Sequence, residues 1–182
     1  PFMACQALNE FVPEEAARLH VHFVSSIDGT QLSDLLGTLR PETTLFIISS
    51  KSFTTIDTLS NAHTALQWML KALDDQKLIV AHHFIGISTQ PQKMLAWGIP
   101  ENNLILFWEW VGGRFSLWSG IGLPIALKVG MANFEAMLAG AHSMDTEFSQ
   151  KPLAQNLPVL LGLVGVWNAT FLDIRAHSIL PY

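Results

Sequence analysis

Charge is what this 182-residue chain has least of. Asp, Glu, Lys and Arg make up 14% of it, against roughly 25% in an average globular domain. Apolar residues reach 49% before glycine is counted. So little charge implies that part of the surface is covered in nature, by further chain or by a second subunit, with a large monomeric core as the plainer explanation. Basic clusters are missing too. The 10 Lys and Arg residues are scattered and the net charge is −5, so no stretch offers the positive patch that a nucleic-acid backbone requires. Cysteine occurs once, at Cys5, which excludes an intramolecular disulfide and a thiolate zinc cluster and fits a reducing, cytoplasmic compartment. No charged-then-apolar leader opens the chain. Membrane-length apolar runs are absent as well. Residues 157–167 and 117–127 fall short of the roughly 18 residues a spanning helix needs and read as buried core helices.

What is present is an alternation of short apolar runs with helical periods. Residues 20–25 (HVHFVS), 45–49, 78–87 (LIVAHHFIGI) and 103–107 (NLILF) read as strands. Helical spacing marks residues 29–39, then Leu59, His63, Leu66, Met69, Leu70 and Leu73, then residues 90–97. Farther on, residues 116–129, 131–144 and 155–172 look helical, with loops at 112–113 and 147–152, and residues 179–181 read as the start of another element. Near-continuous apolar strands between helices predict a single α/β domain, a parallel sheet flanked by helices on both faces, with a helical C-terminal part.

Two segments carry candidate chemistry. In LFIISSKSFTTIDT (45–58) an apolar strand ends in Ser50, Lys51, Ser52, Phe53, Thr54 and Thr55 just before a helical period. Unpaired backbone N–H groups at a helix start, the positive end of the helix dipole and nearby hydroxyls make an anion site, with phosphate as the natural guest. Ser and Thr also cap helices without any ligand. In FWEWVGGRFSLWSGIG (107–122), Gly112 and Gly113 allow tight turning and close ligand approach before Arg114, a planar cationic fork. The alternative is a structural Arg114 paired with Glu109. Both segments follow strands, so they belong on the same edge of the sheet, where ligand crevices open. His20 and His22 share a face of their expected strand, and His82 and His83 point to opposite faces of theirs. No further ligand joins them at metal spacing, so no metal site is expected. The tryptophans read as core or subunit-contact residues.

SSKSFTT, EWVGGRFSLWSGIGLPIAL and LPY, in this order and spacing, resemble the glucose-6-phosphate isomerase family, and VHFVSSIDGT, HFIGIST, AWGIPENNLILFWEW and GAHSMDTEF extend the likeness from Pro1 to Tyr182. The resemblance implies a sugar-isomerase, flavodoxin-like fold and reversible interconversion of glucose 6-phosphate and fructose 6-phosphate, without a cofactor. It implies that residues Ser50, Lys51, Ser52, Phe53, Thr54 and Thr55 form the phosphate loop, with the hydroxyls of Ser50, Ser52 and Thr55 and the backbone N–H groups of Lys51 and Ser52 as ligands. Arg114 matches the arginine that stabilises the enediolate, with Gly112 and Gly113 as its supporting loop. A homodimer is implied for the whole enzyme. Ser52 stands where the family commonly has threonine, and Ile56 and Asp57 where it has glutamine and glutamate. Gly120 and Pro124 should kink the helix after Arg114 or shift its start.

The resemblance also implies a glycine-rich turn before Pro1, and a glutamine and the catalytic glutamate after Tyr182, with a histidine and a lysine farther on. On that expectation residues 1–182 are one truncated sugar-isomerase domain of a longer enzyme, weakly stable and inactive alone. Two other readings stay open: a non-catalytic sugar-phosphate-binding module of the same fold, and a structural fragment without ligand.

Overall fold

The computed structural model describes residues 1–178. In chain order the elements are α1 (Phe2–Ala7), α2 (Gly29–Leu36), β1 (Phe46–Ser49), α3 (Ile56–Leu70), α4 (Gln76–His83), β2 (Phe84–Ser88), α5 (Pro91–Trp97), β3 (Leu104–Leu106), α6 (Leu123–Val129), α7 (Met131–Gln150) and α8 (Leu157–Phe171), with short 3-10 turns between several of them. They form two compact units, Pro1–Met131 and a second beginning at Ala132.

The first unit is built on a parallel sheet of order β1-β2-β3. Its register sets Ile48 opposite Gly86, and Gly86 opposite Leu104. Alternation sends strand residues to two faces, and both are covered. Ile48 and Phe84 pack with Ala62, Leu66 and Met69 of α3, Ile79 and Val80 of α4, and Met94 of α5. On the opposite face Ile47, Ile85, Ile87 and Ile105 meet Phe107, Val111, Ile121 and Leu123. This is why the strands carry so few polar positions. Two glycines make the layers fit. A Cβ on Gly86 would lie 2.6 Å from the Met94 sulfur, and one on Gly120 would lie 2.6 Å from Ile105 Cγ2.

Local chemistry starts the helices. Asp28 accepts from the Thr30 N–H at 3.0 Å to cap α2, and that bond draws its carboxyl below the usual carboxylate range. Asp75 accepts from Lys77 and Leu78 N–H groups and opens α4. Pro91 and Pro124 stand in the first turns of α5 and α6, where a missing N–H costs nothing. Near α6, burial raises the pKa of the Cys5 thiol, whose sulfur lies 3.8 Å from the Pro124 carbonyl.

Several expectations need correction. Residues 20–25 form no strand, because no described strand lies beside them to pair with; Gln31 and Asn61 side chains instead bond the Phe23 and Ser26 carbonyls. His20 and His22 therefore share no strand face. The run 78–87 divides: the Asp75 cap makes its first part α4, and only residues from Phe84 enter the sheet. Asn103 stitches that change of direction by donating to the Ala81 and Phe84 carbonyls. His82 and His83 thus end a helix, with His83 Nδ1 2.8 Å from the Thr44 carbonyl oxygen. Residues 116–129 are 3-10 turns followed by α6, since Gly120 and Pro124 delay the regular helix. The loop expected at 147–152 starts only after Gln150. Residues 179–181 lie outside the described residues.

In the second unit, Asn156 ties the end of α7 to the start of α8. Its Nδ2 donates to the Phe148 carbonyl at 2.7 Å, and its Oδ1 accepts from the Val159 N–H at 3.2 Å. The expectation of a buried core helix at 157–167 is not met: no residue of α8 is buried. No helix among the described residues is long and apolar enough to cross a membrane. Trp108, Trp110, Trp118 and Trp167 are likewise exposed, whereas Trp68 and Trp97 pack against the sheet core.

Candidate functional site

The carboxyl ends of all three strands meet in one place. After β1 the chain turns through residues 50–55 into α3. Phe53 pins this turn: its ring is 3% exposed and belongs to the core under the sheet. Its backbone has φ 48, a left-handed conformation that a bulky side chain rarely adopts. Ser50 is buried within the turn, where its Oγ accepts from the Phe53 N–H and lies 3.0 Å from Thr55 Oγ1. Thr54 donates to Ser52 Oγ at 2.8 Å. Among the described residues, the backbone N–H groups of Lys51, Ser52, Thr54 and Thr55 have no acceptor. They stand at the amino end of a 15-residue helix, where backbone dipoles favour negative charge.

A cavity of about 300 Å³ opens beside this turn, lined by Lys51, Ser52, Thr55, Thr89, Gln90, Lys93 and Glu109. Lys93 donates to the Ser52 carbonyl at 2.9 Å. Lys51 donates to the backbone carbonyls of Glu109 at 2.6 Å and Val111 at 2.9 Å. Gln90 donates to the Glu109 carboxylate at 2.8 Å. The turn, the segment after β2 and the segment after β3 are thus bonded together, and two ammonium groups and one carboxylate surround the space.

Of the expected site residues, Lys51, Ser52 and Thr55 line the cavity. Ser50, Phe53 and Thr54 shape the turn without lining it. Arg114 is exposed in a 3-10 turn and is not among the lining residues, and its side chain makes no hydrogen bond or ion pair among the described residues. Its expected alternative partner, Glu109, is engaged by Lys51 and Gln90 instead. Neither Gly112 nor Gly113 has a positive φ. Thr89, Gln90 and Lys93 were not anticipated as site residues. Their signal was positional: they follow directly on a strand's carboxyl end.

Fold and site define an α/β protein whose parallel sheet carries an amide- and hydroxyl-rich turn at its carboxyl edge. Residues 1–182 match the family model described as phosphoglucose isomerase, and the chain belongs to that family. It is 60% identical over 182 residues to the glucose-6-phosphate isomerase of Acinetobacter venetianus, a match covering 100% of this chain and 33% of that protein. It is 54% identical over 189 residues to glucose-6-phosphate isomerase 2 of Chromohalobacter salexigens, covering 100% of this chain and 34% of that protein. A crystal structure of a glucose-6-phosphate isomerase from Chlamydia trachomatis is similar with a TM-score of 0.72 at 26% identity, over 91% of this chain and 31% of that one. The chain spans about one third of the length of the curated relatives it matches.

Proposed function

We propose that this chain supplies the phosphate-holding turn and a transition-state cation to an aldose–ketose isomerase acting on glucose 6-phosphate and fructose 6-phosphate. The observation that carries the proposal is the set of N–H groups at Lys51, Ser52, Thr54 and Thr55, unpartnered among the described residues, at the start of α3 beside the Ser52 and Thr55 hydroxyls. Lys93, which also lines the cavity, adds to its attraction for an anion. Family membership supports a sugar phosphate as that anion.

In the proposed reaction a proton leaves the carbon next to the sugar's carbonyl and is returned to the neighbouring carbon. Between the two steps negative charge collects on oxygen. Arg114, its side chain free of any partner among the described residues, is the cation assigned to that charge. Such donors, fixed in a water-poor site, are worth roughly 3–4 kcal/mol of barrier. The phosphate, held away from the reacting carbons, orients them through its binding energy. The carboxylate that moves the proton is assigned to chain beyond these 182 residues, as is completion of the site in a cytoplasmic homodimer. The 182-residue polypeptide alone is therefore expected to give no turnover in a coupled assay of fructose 6-phosphate; ordinary turnover would refute that assignment.

The test in the whole enzyme separates the two roles. R114A should lower kcat by about 100- to 1000-fold with KM little changed. S52A and T55A should raise KM and leave kcat less affected. A second reading, a non-catalytic sugar-phosphate-binding module, is favoured by one observation: Arg114 does not line the cavity. Phosphate binding by the whole protein without any turnover would select it.

A further inference from the structure

We infer that the Lys51 side chain is a positioning group, a brace that fixes the segment ahead of Arg114 against the hydroxyl turn, and that its ammonium is not an anion ligand. The inference rests on the isomerase reading and deepens it. An ammonium has three donors. Two of those on Lys51 go to the carbonyls of Glu109 and Val111, at 2.6 and 2.9 Å. The nearest remaining anion is the Glu109 carboxylate, 3.8 Å away. At the other end of the residue, the Lys51 carbonyl accepts from Ser88 Oγ and Thr89 Oγ1 at 2.9 Å each, and from the Thr89 N–H at 3.2 Å. One residue therefore joins the carboxyl ends of all three strands. Gln90 runs parallel to it, from Thr89 Oγ1 to the Glu109 carboxylate.

Placement explains why this matters. Only Gly112 and Gly113 separate Val111 from Arg114, and neither has a side chain to fix the path. The bonds to the 109 and 111 carbonyls, with the buried Val111 side chain and the Gln90–Glu109 bond, thus anchor the chain on the amino-terminal side of the guanidinium. Cutting them lets Arg114 shift, and a misplacement of an ångström costs up to about 100-fold in rate. Anion affinity rests on other groups, the free N–H donors and the Ser52 and Thr55 hydroxyls, which the Lys51 ammonium does not touch.

The experiment uses the protein as its cell makes it, with K51M and K51R, steady-state conversion of fructose 6-phosphate, competition by inorganic phosphate, and amide hydrogen exchange. K51M should lower kcat roughly 10- to 100-fold, with KM and the phosphate inhibition constant held within about twofold. K51R, whose fork reaches two carbonyls, should recover most of that loss. Exchange should quicken in residues 108–114 of K51M and stay unchanged in β1 and β2. A rise of about tenfold in KM and in the phosphate constant at unaltered kcat would make the Lys51 ammonium a ligand and overturn the inference, and so would unaltered kinetics. K51Q, neutral but still a donor, replaces K51M if that variant does not fold, with the same expected signs. Wild-type protein that gives no turnover of fructose 6-phosphate would refute the isomerase reading alone. Exchange in 108–114 then still decides the brace: faster in K51M supports it, unchanged overturns it.

Discussion

The unit built on the sheet and the helical unit after it are both rich in apolar residues, yet they hide them to very different degrees. In the first, Phe84, Met69, Ile87, Met94, Ile125 and Val129 are completely enclosed. In the second, the described residues bury one large apolar side chain, Phe134, and one polar one, Asn156, while the leucines and aromatics of α8, with Val164 and Val166, stand open. A sheet has two faces and gathers helices onto each, so each strand residue finds neighbours from distant parts of the chain. A helix that is apolar all round has no such partner of its own and depends on what is packed beside it.

The sharpest way to break that contrast is a matched truncation. Phe84, in the central strand, is 0% exposed and has ring neighbours Phe46 at 5.1 Å and Trp97 at 5.4 Å. F84A should destabilise by about 3–5 kcal/mol in urea unfolding. Phe171 is 66% exposed, and F171A should move stability by less than about 0.5 kcal/mol. Equal effects would mean that exposure does not separate the two units.

A smaller loss is expected where the second sheet face closes. In G120A the new methyl would meet Ile105 Cγ2 at 2.6 Å, and overpacking of this sort costs about 1–3 kcal/mol. The same change at Gly162 in α8 meets nothing within 4 Å and should be neutral or favour the helix slightly. Urea midpoints of the two variants make that comparison.

N156A probes the helical unit directly. Asn156 is 1% exposed and bonds both flanking helices, so its loss should cost about 0.5–2 kcal/mol. Amide exchange should rise at the 148–160 junction and remain slow in β1 and β2. Spread of the effect into the sheet would erase the distinction between the units.

The smallest effect concerns Asp28 at the start of α2. Its carboxyl is held below the ordinary value of 3.8 by the Thr30 N–H. A depressed carboxyl stabilises the folded state above its unfolded pKa, and that contribution disappears as pH falls through the folded value. D28A should therefore lower the thermal midpoint at neutral pH, and the gap from wild type should close below about pH 3.8. A gap that persists in strong acid would rule out the carboxylate as its source.

Much of this arrangement was legible in the residues. Helical spacing marked α3, the 45–49 run contained β1, and NLILF contained β3, because each is bounded by residues that stop it. The 78–87 run was misread for a physical reason: a short apolar stretch has no period that separates strand from buried helix, and the Asp75 cap decided the matter. Residues 20–25 have strand-forming side chains, but a strand exists only beside another. At the site, the hydroxyl turn was readable as an anion seat. That Ser50 would be consumed inside the turn, or that Lys51 would reach across to carbonyls some sixty residues away, depends on tertiary geometry that spacing does not encode.

The buried ring of Phe53 has one more consequence. With its aromatic group sunk into the core and its backbone at φ 48, the hydroxyl turn has no hinge of its own, since swinging outward would drag a phenyl group into water. An anion arriving there meets donors already arrayed and has little chain to order. Calorimetry should accordingly register uptake of inorganic phosphate with a heat-capacity change close to zero, the signature of a socket that is cast before its guest arrives.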